Sequence, residues 1–449
     1  MANTKANTMQ SAPSQALAYT TTERMVIIAS AMLGHTLDYY DVFIFPFLMP
    51  SIQKTLQVSL TQVGSIQTLT LIGAVFGGII FGLLGDRFGR KLPLQITLGF
   101  FGVGSIMSAF SWNYSSLACI RFITGIGLGG EWGAGMVLLN EAWNPRRRGL
   151  GSACVQGCSV LSSALASIVG IWAVSSFSLN WGWRIALITG GSPIILMVLV
   201  RFFMPESKAW IQYNELKKQG KISLKETKGI RLLEIFKRPF RKITIPALLW
   251  MMSYMMCFYA IVTFMPTLML KYLNTPPQVV RTAAVTLSII GGMAYVTNGW
   301  FHDRCGRRFG AIVPASVWIA AMMGMYLWGT VRYHGSIFGW PLYFLYVAFG
   351  IGNVGLAVAG PWFSELYPVD LRATAVSTVY MLGRGLGSTA PVVVPLVTAQ
   401  VGGNLLGGML IVGIPCALIF VLASLCLPET RGRTLSYVAG ESHVAKPAP

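Results

Sequence analysis

The stretch GDRFGRK at residues 85–91 returns as HDRCGRR at residues 302–308, and this repetition decides the fold. Each copy joins two long apolar runs, and two further pairs of motifs repeat in the same order. These pairs are EAWNPRRR (141–148) with ELYPVDLR (365–372), and PES (205–207) with PET (428–430). Three motifs repeated in one order indicate two halves of the same topology.

The composition is typical of a membrane protein. Of the 449 residues, 54% are hydrophobic and only 11% are charged, whereas soluble domains carry about 25% charged residues. The net charge of +19 does not indicate a nucleic-acid interface, because the basic residues lie in short loops between apolar runs. The seven cysteines show neither metal-ligand spacing nor a disulfide pattern. No metal and no cofactor are expected.

Twelve apolar runs are long enough to cross about 30 Å of hydrocarbon as helices. They cover approximately residues 25–50, 61–84, 93–111, 115–141, 150–176, 184–204, 243–270, 280–301, 309–331, 339–364, 372–398 and 404–427. The predicted fold is an all-α membrane protein with twelve transmembrane helices in two pseudo-symmetric six-helix bundles.

The domain organisation follows from these runs. It comprises an N-terminal tail (1–24), two six-helix bundles (25–204 and 243–430), a linker (205–242) and a C-terminal tail (431–449). Lys and Arg concentrate in the motif loops and the linker, which predicts that these and both termini are cytoplasmic. The polar first 24 residues lack a signal-peptide pattern. We expect a monomer in the plasma or inner membrane, with the lipid bilayer as its surroundings.

The motifs resemble those of the major facilitator superfamily over nearly the whole chain. GDRFGRK matches the signature of the loop between spans two and three, and Arg121 in RFITGIGLGG matches the fourth-span signature. PES and PETRG resemble the ends of the two halves in the sugar-porter-like branch. The resemblance implies secondary transport by alternating access, and parallel repeats place a binding site between the halves near the midplane.

The first span carries an unusual polar stripe, HTLDYYD at residues 35–41. His35, Asp38 and Asp41 are spaced by three residues and share one helix face, which Tyr39 borders. A charge at the centre of the bilayer costs at least about 2.5–3.5 kcal/mol, so this face is predicted to point into a cleft. Neighbouring carboxylates raise each other's proton affinity, which makes Asp38 and Asp41 candidates for proton coupling. The alternative is a set of helix–helix hydrogen bonds.

The fourth span supplies two further candidates for proton coupling. In proton-coupled sugar porters an acid of span one pairs with the signature arginine, so the resemblance implies that Asp41 pairs with Arg121. The alternative for Arg121 is a packing anchor on a carbonyl group. Glu131 lies ten residues further along, in the inner half, and is either a second proton station or a hydrogen-bonded structural acid.

Arg384 in MLGRGLG lies near the middle of span eleven. Its planar fork of donors suits a substrate carboxylate, and the alternative is an ion pair with a distant acid such as Asp38. Further substrate-binding candidates, each of which alone is also explained by packing, are His35, Tyr39, Tyr254, Tyr259, Asn298 and Asn353.

The motif loops carry charges where helix ends meet at the cytoplasmic side. The resemblance implies a latch that holds the outward-facing state and opens on switching. Its predicted members are Asp86, Arg90, Glu141, Arg148, Asp303, Arg307, Glu365 and Arg372.

These observations predict a proton-coupled symporter of a small organic carboxylate, either a monocarboxylate or an aromatic acid. GGEWG in span four resembles the metabolite–proton and sialate/lactate branches. The spacing of Asp38 and Asp41 is similar to that of the aromatic acid–proton symporters, although Tyr39 stands where that branch has Gly. The alternatives are a proton-linked sugar or polyol porter, a zwitterion carrier and a non-transporting receptor. The spans show no nucleophile–base constellation, so an enzyme is not expected.

Overall fold

The structure is a computed structural model that describes residues 19–143, 148–191, 194–208, 210–211, 214–215, 219, 231–332, 340–367 and 369–431. Within these ranges every regular element is helical. Each of the twelve predicted apolar runs coincides with one helix or with two or three consecutive helical segments, and we number these spans one to twelve.

Spans one to five are continuous helices. They comprise Thr21–Leu56, Leu60–Phe88, Lys91–Ser108, Tyr114–Ala142 and Arg148–Ser176. Span six consists of Leu179–Gly191 and Ile194–Phe203. Glu23, in the first turn of span one, forms a capping box with Thr20, which satisfies two main-chain N–H groups at the helix start.

The second half contains more interruptions. A short helix, Arg231–Glu234, precedes span seven, which runs as Arg241–Val262, Met265–Thr267 and a π-helical turn at Leu268–Tyr272. Spans eight and nine are Pro277–Cys305 and Arg307–Arg332. Span ten is Trp340–Gly352, a 3-10 stretch at Asn353–Val358, and Ala359–Leu366. Span eleven is Val369–Gly387 with Ala390–Gln400, and span twelve is Leu405–Cys426.

By length and apolar composition alone, seven helices in the described ranges qualify as membrane spans, namely those of spans two, five, seven, eight, nine, ten and twelve. The other five include spans one and four, which carry buried charges. They also include spans three, six and eleven, which are shorter or interrupted.

The motif loops lie at one end of the molecule, which we call the motif end. The sequence repeat has a structural counterpart there. Gly89 and Gly306 occupy the fifth position of the two motif copies, with φ of 93° and 105°. These positive angles strain residues with a Cβ atom, so both copies require glycine at this turn. Each turn starts the next span, span three or span nine.

The PES and PET motifs complete these turns. The carboxylate of Glu206 accepts the N–H groups of Arg90 and Lys91 at 2.7 and 3.1 Å. Glu429 accepts the N–H groups of Arg307 and Arg308 at 2.9 and 3.0 Å. An acid near the first turn of a helix satisfies unpaired donors and complements the helix dipole. The repeated motifs therefore contact each other within each half.

The two halves meet through spans five and eight and through spans two and eleven. At the motif end the N–H of Leu150 donates to Asp303 Oδ2 at 3.1 Å. At the opposite end, which we call the far end, the Thr68 hydroxyl donates to the carbonyl of Ser388 at 2.6 Å. Span one also packs against Met265–Thr267 of span seven. The halves are thus in contact at both ends.

Candidate functional site

The polar stripe of span one faces arginines from two different helices. Asp41 Oδ2 lies 2.7 Å from Arg121 Nη1 of span four, and both side chains are at most 1% exposed. The Ser105 hydroxyl of span three donates to the other oxygen, Asp41 Oδ1, at 2.7 Å. The guanidinium of Arg121 also lies over the ring of Phe45, 5.3 Å from its centre. Asp41 is therefore held by one ion pair and one hydrogen bond inside the first half.

Asp38 faces the second half instead. Its Oδ2 lies 3.7 Å from Arg384 Nη1, with side-chain exposures of 1% and 0%. Arg384 Nε donates to the Tyr259 hydroxyl at 3.2 Å, and the guanidinium lies over the ring of Tyr39 at 5.0 Å. The Tyr39 hydroxyl is 3.1 Å from that of Tyr380. The structure thus brings Asp38, Tyr39, Tyr259 and Arg384 together. Arg384 faces Asp38, the acid that the sequence analysis gave as its alternative partner.

The contact between Asp38 and Arg384 is close but not hydrogen-bonded. Within the described part of the chain, both oxygens of Asp38 and both Nη atoms of Arg384 are buried without a hydrogen-bond partner. His35 Nε2 and both side-chain polar atoms of Gln156 are in the same condition. Buried polar groups are nearly always hydrogen-bonded in native structures. Asp41 Oδ2 and Arg121 Nη1 also lack a hydrogen bond of good geometry. They are nevertheless 2.7 Å apart, and Ser105 donates to the other oxygen of Asp41, so Asp38 is the less tightly held of the two acids.

Glu131 has a partner that we did not predict. Its Oε1 lies 2.6 Å from Arg201 Nη2, which belongs to span six and is buried. Arg201 is the single charged residue of the apolar run IILMVLVRFF. This isolation is the sequence feature that could have identified it as a buried charge with an acidic partner. Span one lies directly on this pair at Gly34, where an added Cβ atom would overlap Glu131 Oε1 and come within 3.1 Å of Arg201 Nη2. Glu131 is thus packed behind span one.

Polar groups of the second half converge on the 3-10 break in span ten. The Tyr254 hydroxyl lies 2.6 Å from both the main-chain carbonyl and the side-chain Oδ1 of Asn353. The hydroxyl of Tyr295, which we did not predict, lies 3.3 Å from the same carbonyl. Asn298 Nδ2 donates instead to the carbonyls of Gly310 and Val354, at 3.1 and 2.9 Å. In this conformation Asn298 ties three spans together through main-chain contacts.

A small cavity lies between the halves, with room of about 40 Å³ for the centres of water molecules. This is space for roughly three or four waters, so an organic acid with a ring enters only when the surrounding groups move apart. The cavity is lined by residues of spans one, five, seven, eight and ten. Its aromatic lining consists of Tyr39, Phe43, Tyr254, Phe258, Tyr295 and Phe349.

Four of the eight predicted latch residues have described side chains. Arg307 lies 2.8 Å from both Asp303 Oδ1 and Glu365 Oε1, and Asp303 also accepts the N–H of Leu150 from the other half. Arg90 is placed at the start of span three, where its N–H donates to Glu206. The side chains of the other four lie outside the described ones, namely Asp86, Glu141, Arg148 and Arg372.

Glu429 supports this network from outside the spans. Burial tends to raise its pKa, but the N–H groups of Arg307, Arg308, Arg431 and Thr430 outweigh burial and hold the pKa below its ordinary value. The neighbouring Thr430 hydroxyl donates to Glu365 Oε2 at 2.6 Å. A charged Glu429 is thus built into the turn that positions Arg307.

A family model described as Major Facilitator Superfamily matches residues 31–292 and 247–442. The chain belongs to the major facilitator superfamily. The family shows that the protein is an integral membrane transporter, in line with its long apolar helices.

Curated relatives are similar over most of the chain. A protein named "Probable 4-methylmuconolactone transporter" from Cupriavidus pinatubonensis is 27% identical over 423 residues, covering 92% of each chain. The 4-hydroxybenzoate transporter PcaK of Acinetobacter baylyi is also 27% identical, covering 77% of this chain and 79% of the relative.

Solved structures match the fold. The proton:xylose symporter XylE of E. coli, bound to 6-bromo-6-deoxy-D-glucose, superposes with a TM-score of 0.74. The match covers 93% of this chain and 98% of XylE, at 18% sequence identity. Together with the family match, it confirms the predicted all-α fold of twelve membrane-spanning helices in two six-helix bundles.

Proposed function

We propose that this transporter is a symporter that carries a small organic carboxylate together with protons by alternating access. The observation that carries the proposal is the buried guanidinium of Arg384. Its two Nη atoms have no hydrogen bond within the described residues, and its nearest acid, Asp38, stands 3.7 Å away. A guanidinium in this condition has its planar fork available for a carboxylate, which binds it with two parallel hydrogen bonds.

Asp38 then competes with the substrate for Arg384. When Asp38 binds a proton it loses its charge, and the guanidinium takes the substrate carboxylate in its place. The positive charge of Arg384 is thereby neutralised in either state, which avoids the high cost of an unpaired buried charge. This exchange couples one proton to one carboxylate at the boundary between the halves.

Asp41 and Arg121 are the second proton-coupling pair of the proposal. Protonation of Asp41 would neutralise its carboxylate and release Arg121 from their 2.7 Å contact. The guanidinium of Arg121 would then be a buried charge without its counter-ion. A ligand or proton shifts a conformational equilibrium only by its differential affinity for the two states. We assign this differential to the making and breaking of the Asp41–Arg121 pair, with Glu131 as a further proton site.

The relatives support an acid as substrate, since their names include a muconolactone, 4-hydroxybenzoate and cis,cis-muconate. The aromatic cavity lining suits a planar or ring-bearing acid. We further propose that the motif end is cytoplasmic, because Lys and Arg are concentrated in the motif loops. The two bundles are proposed to comprise residues 25–204 and 243–430. The Asp303–Arg307–Glu365 network, with its predicted partners, is proposed to form the latch.

The proposal is tested by counterflow in reconstituted vesicles with benzoate, 4-hydroxybenzoate and xylose as separate substrates. We expect exchange of an acid, none of xylose, and loss of acid exchange in Arg384→Ala. Arg281→Ala is the matched control, because Arg281 is an exposed arginine at the start of span eight. Exchange of xylose that acids do not inhibit would replace the proposal with a sugar porter.

A further inference from the structure

The lining of the cavity between the halves contains two groups of polar residues. The first is Tyr39, whose ring lies under the Arg384 guanidinium at 5.0 Å. The second group, which we call the second side, consists of Tyr254, Tyr295 and Asn353. Phe43 and Phe258 line the same cavity, with their ring centres 6.0 Å apart.

The second side offers hydrogen-bonding capacity beyond its internal needs. Tyr254 has a single hydroxyl proton but faces two acceptors of Asn353, each at 2.6 Å. It can satisfy only one of them well. The Tyr295 hydroxyl makes only long contacts, 3.3 Å to the Asn353 carbonyl and 3.4 Å to the Tyr254 hydroxyl. These distances lie beyond the usual range for hydroxyl hydrogen bonds, so Tyr295 loses little by turning to a ligand.

The second side has no charged residue, and none of the described residues that line the cavity is an arginine, lysine, histidine, aspartate or glutamate. The nearest guanidinium to the first group is that of Arg384, which lies over the Tyr39 ring outside the lining itself. A second carboxylate on the ligand would therefore be buried here without a counter-charge, which is strongly unfavourable. A neutral hydroxyl or carbonyl oxygen would instead find phenol and amide partners.

We propose that the transporter selects planar, ring-bearing monocarboxylates that carry a neutral oxygen opposite the carboxylate. Tyr295 and Tyr254, positioned by Asn353, form hydrogen bonds with that oxygen, while Arg384 binds the carboxylate. This inference rests on the proposed function, since it assigns the substrate class to the same cleft. Tyr295 becomes a specificity residue and has no part in proton coupling.

The test is competition for counterflow by three acids that share one ring: benzoate, 4-hydroxybenzoate and terephthalate. We expect 4-hydroxybenzoate to compete roughly five- to ten-fold better than benzoate, because one added hydrogen bond changes the affinity by about this factor. Terephthalate is expected to be the weakest of the three. In Tyr295→Phe the preference for 4-hydroxybenzoate should fall to within about two-fold while benzoate competes as before.

Tyr346→Phe is the matched control, because Tyr346 is a buried tyrosine of span ten that does not line the cavity. It should keep the wild-type preference. If Tyr295→Phe does not fold, Tyr254→Phe provides the same readout. Equal competition by benzoate and 4-hydroxybenzoate in the wild type would overturn this inference alone. A wild-type protein that exchanges none of the acids would overturn the proposed function itself.

Discussion

Asp38 on span one and Arg384 on span eleven lie 3.7 Å apart across the boundary between the two halves, both fully buried. Neither group completes a hydrogen bond to the other. By contrast, the Asp41–Arg121 contact of 2.7 Å is contained within the first half. The first span therefore carries two acids with different partners, Asp38 with a partner in the other half and Asp41 with a partner in its own half.

The first prediction concerns the cross-half pair. Arg384→Gln leaves Asp38 in a buried site without a counter-charge, and we expect the free energy of unfolding to fall by about 3–5 kcal/mol. The double variant Asp38→Asn with Arg384→Gln removes both charges and should recover most of this loss. Thermal unfolding of the purified proteins measures both effects. A double variant less stable than Arg384→Gln would show that the two groups are not energetically coupled.

The second prediction concerns Asp41. In Asp41→Asn we expect the exchange of substrate across the membrane to continue without a gradient, while an inward proton gradient no longer drives accumulation. The reason is that an amide cannot take up and release the proton that would free Arg121. Exchange and gradient-driven uptake, measured on the same vesicles, separate the two effects. Accumulation that survives in the variant would move the coupling role away from Asp41.

The third prediction concerns the contact between span one and the Glu131–Arg201 pair. A methyl group at Gly34 overlaps Glu131 Oε1, so Gly34→Ala forces the packed helices apart and should cost about 1–3 kcal/mol of stability. Gly99→Ala is the matched control, because no atom lies within 4 Å of the added group. Alanine in an open helical position is expected to stabilise slightly. Equal thermal stability of the two variants would show that span one does not rest on this pair.

The fourth prediction concerns acid pH. The pKa of Glu429 is lowered from its ordinary value of 4.5 because four N–H donors outweigh the effect of burial. The carboxylate therefore stabilises the folded protein above pH 4.5, and this contribution is lost as the pH falls through the lowered pKa. Glu429→Gln should be less stable near neutral pH and lose less stability on acidification.

Glu234→Gln is the control for this titration, because Glu234 is a half-exposed acid of the short helix before span seven. It should follow the wild-type curve of unfolding temperature against pH. Parallel curves for wild type and Glu429→Gln would show that the hydrogen bonds to Glu429 do not depend on its charge.

The fold was predictable from sequence because membrane spans must be long and apolar and because the motif repeat fixes their relation. The site was predictable only in part. His35, Asp38, Asp41 and Arg384 stand out as charges or polar groups within apolar runs, which is a strong local signal.

Partners across the interior were harder to predict. Arg201 and Tyr295 are distant in sequence from the groups they contact. The isolation of Arg201 in an apolar run indicates that it has a buried partner, but it does not indicate which residue that partner is. The 3-10 stretch at Asn353–Val358 was also not foreseen, although it explains why Asn298 donates to a carbonyl of span ten. Helix periodicity alone cannot reveal where tertiary contacts replace helical hydrogen bonds.

Away from the motif end, where Arg307 pairs with Asp303 and Glu365, the described spans contain three buried acid–guanidinium pairs. These are Asp38 with Arg384, Asp41 with Arg121, and Glu131 with Arg201. In the proposed cycle these pairs contribute no net charge when the empty protein reorients, so they do not couple that step to the transmembrane voltage, which acts with about 2.3 kcal/mol per charge for each 100 mV. One monoanion carried with one proton preserves the balance and makes the cycle electrically silent. A second proton would turn membrane potential into a driving force for uptake.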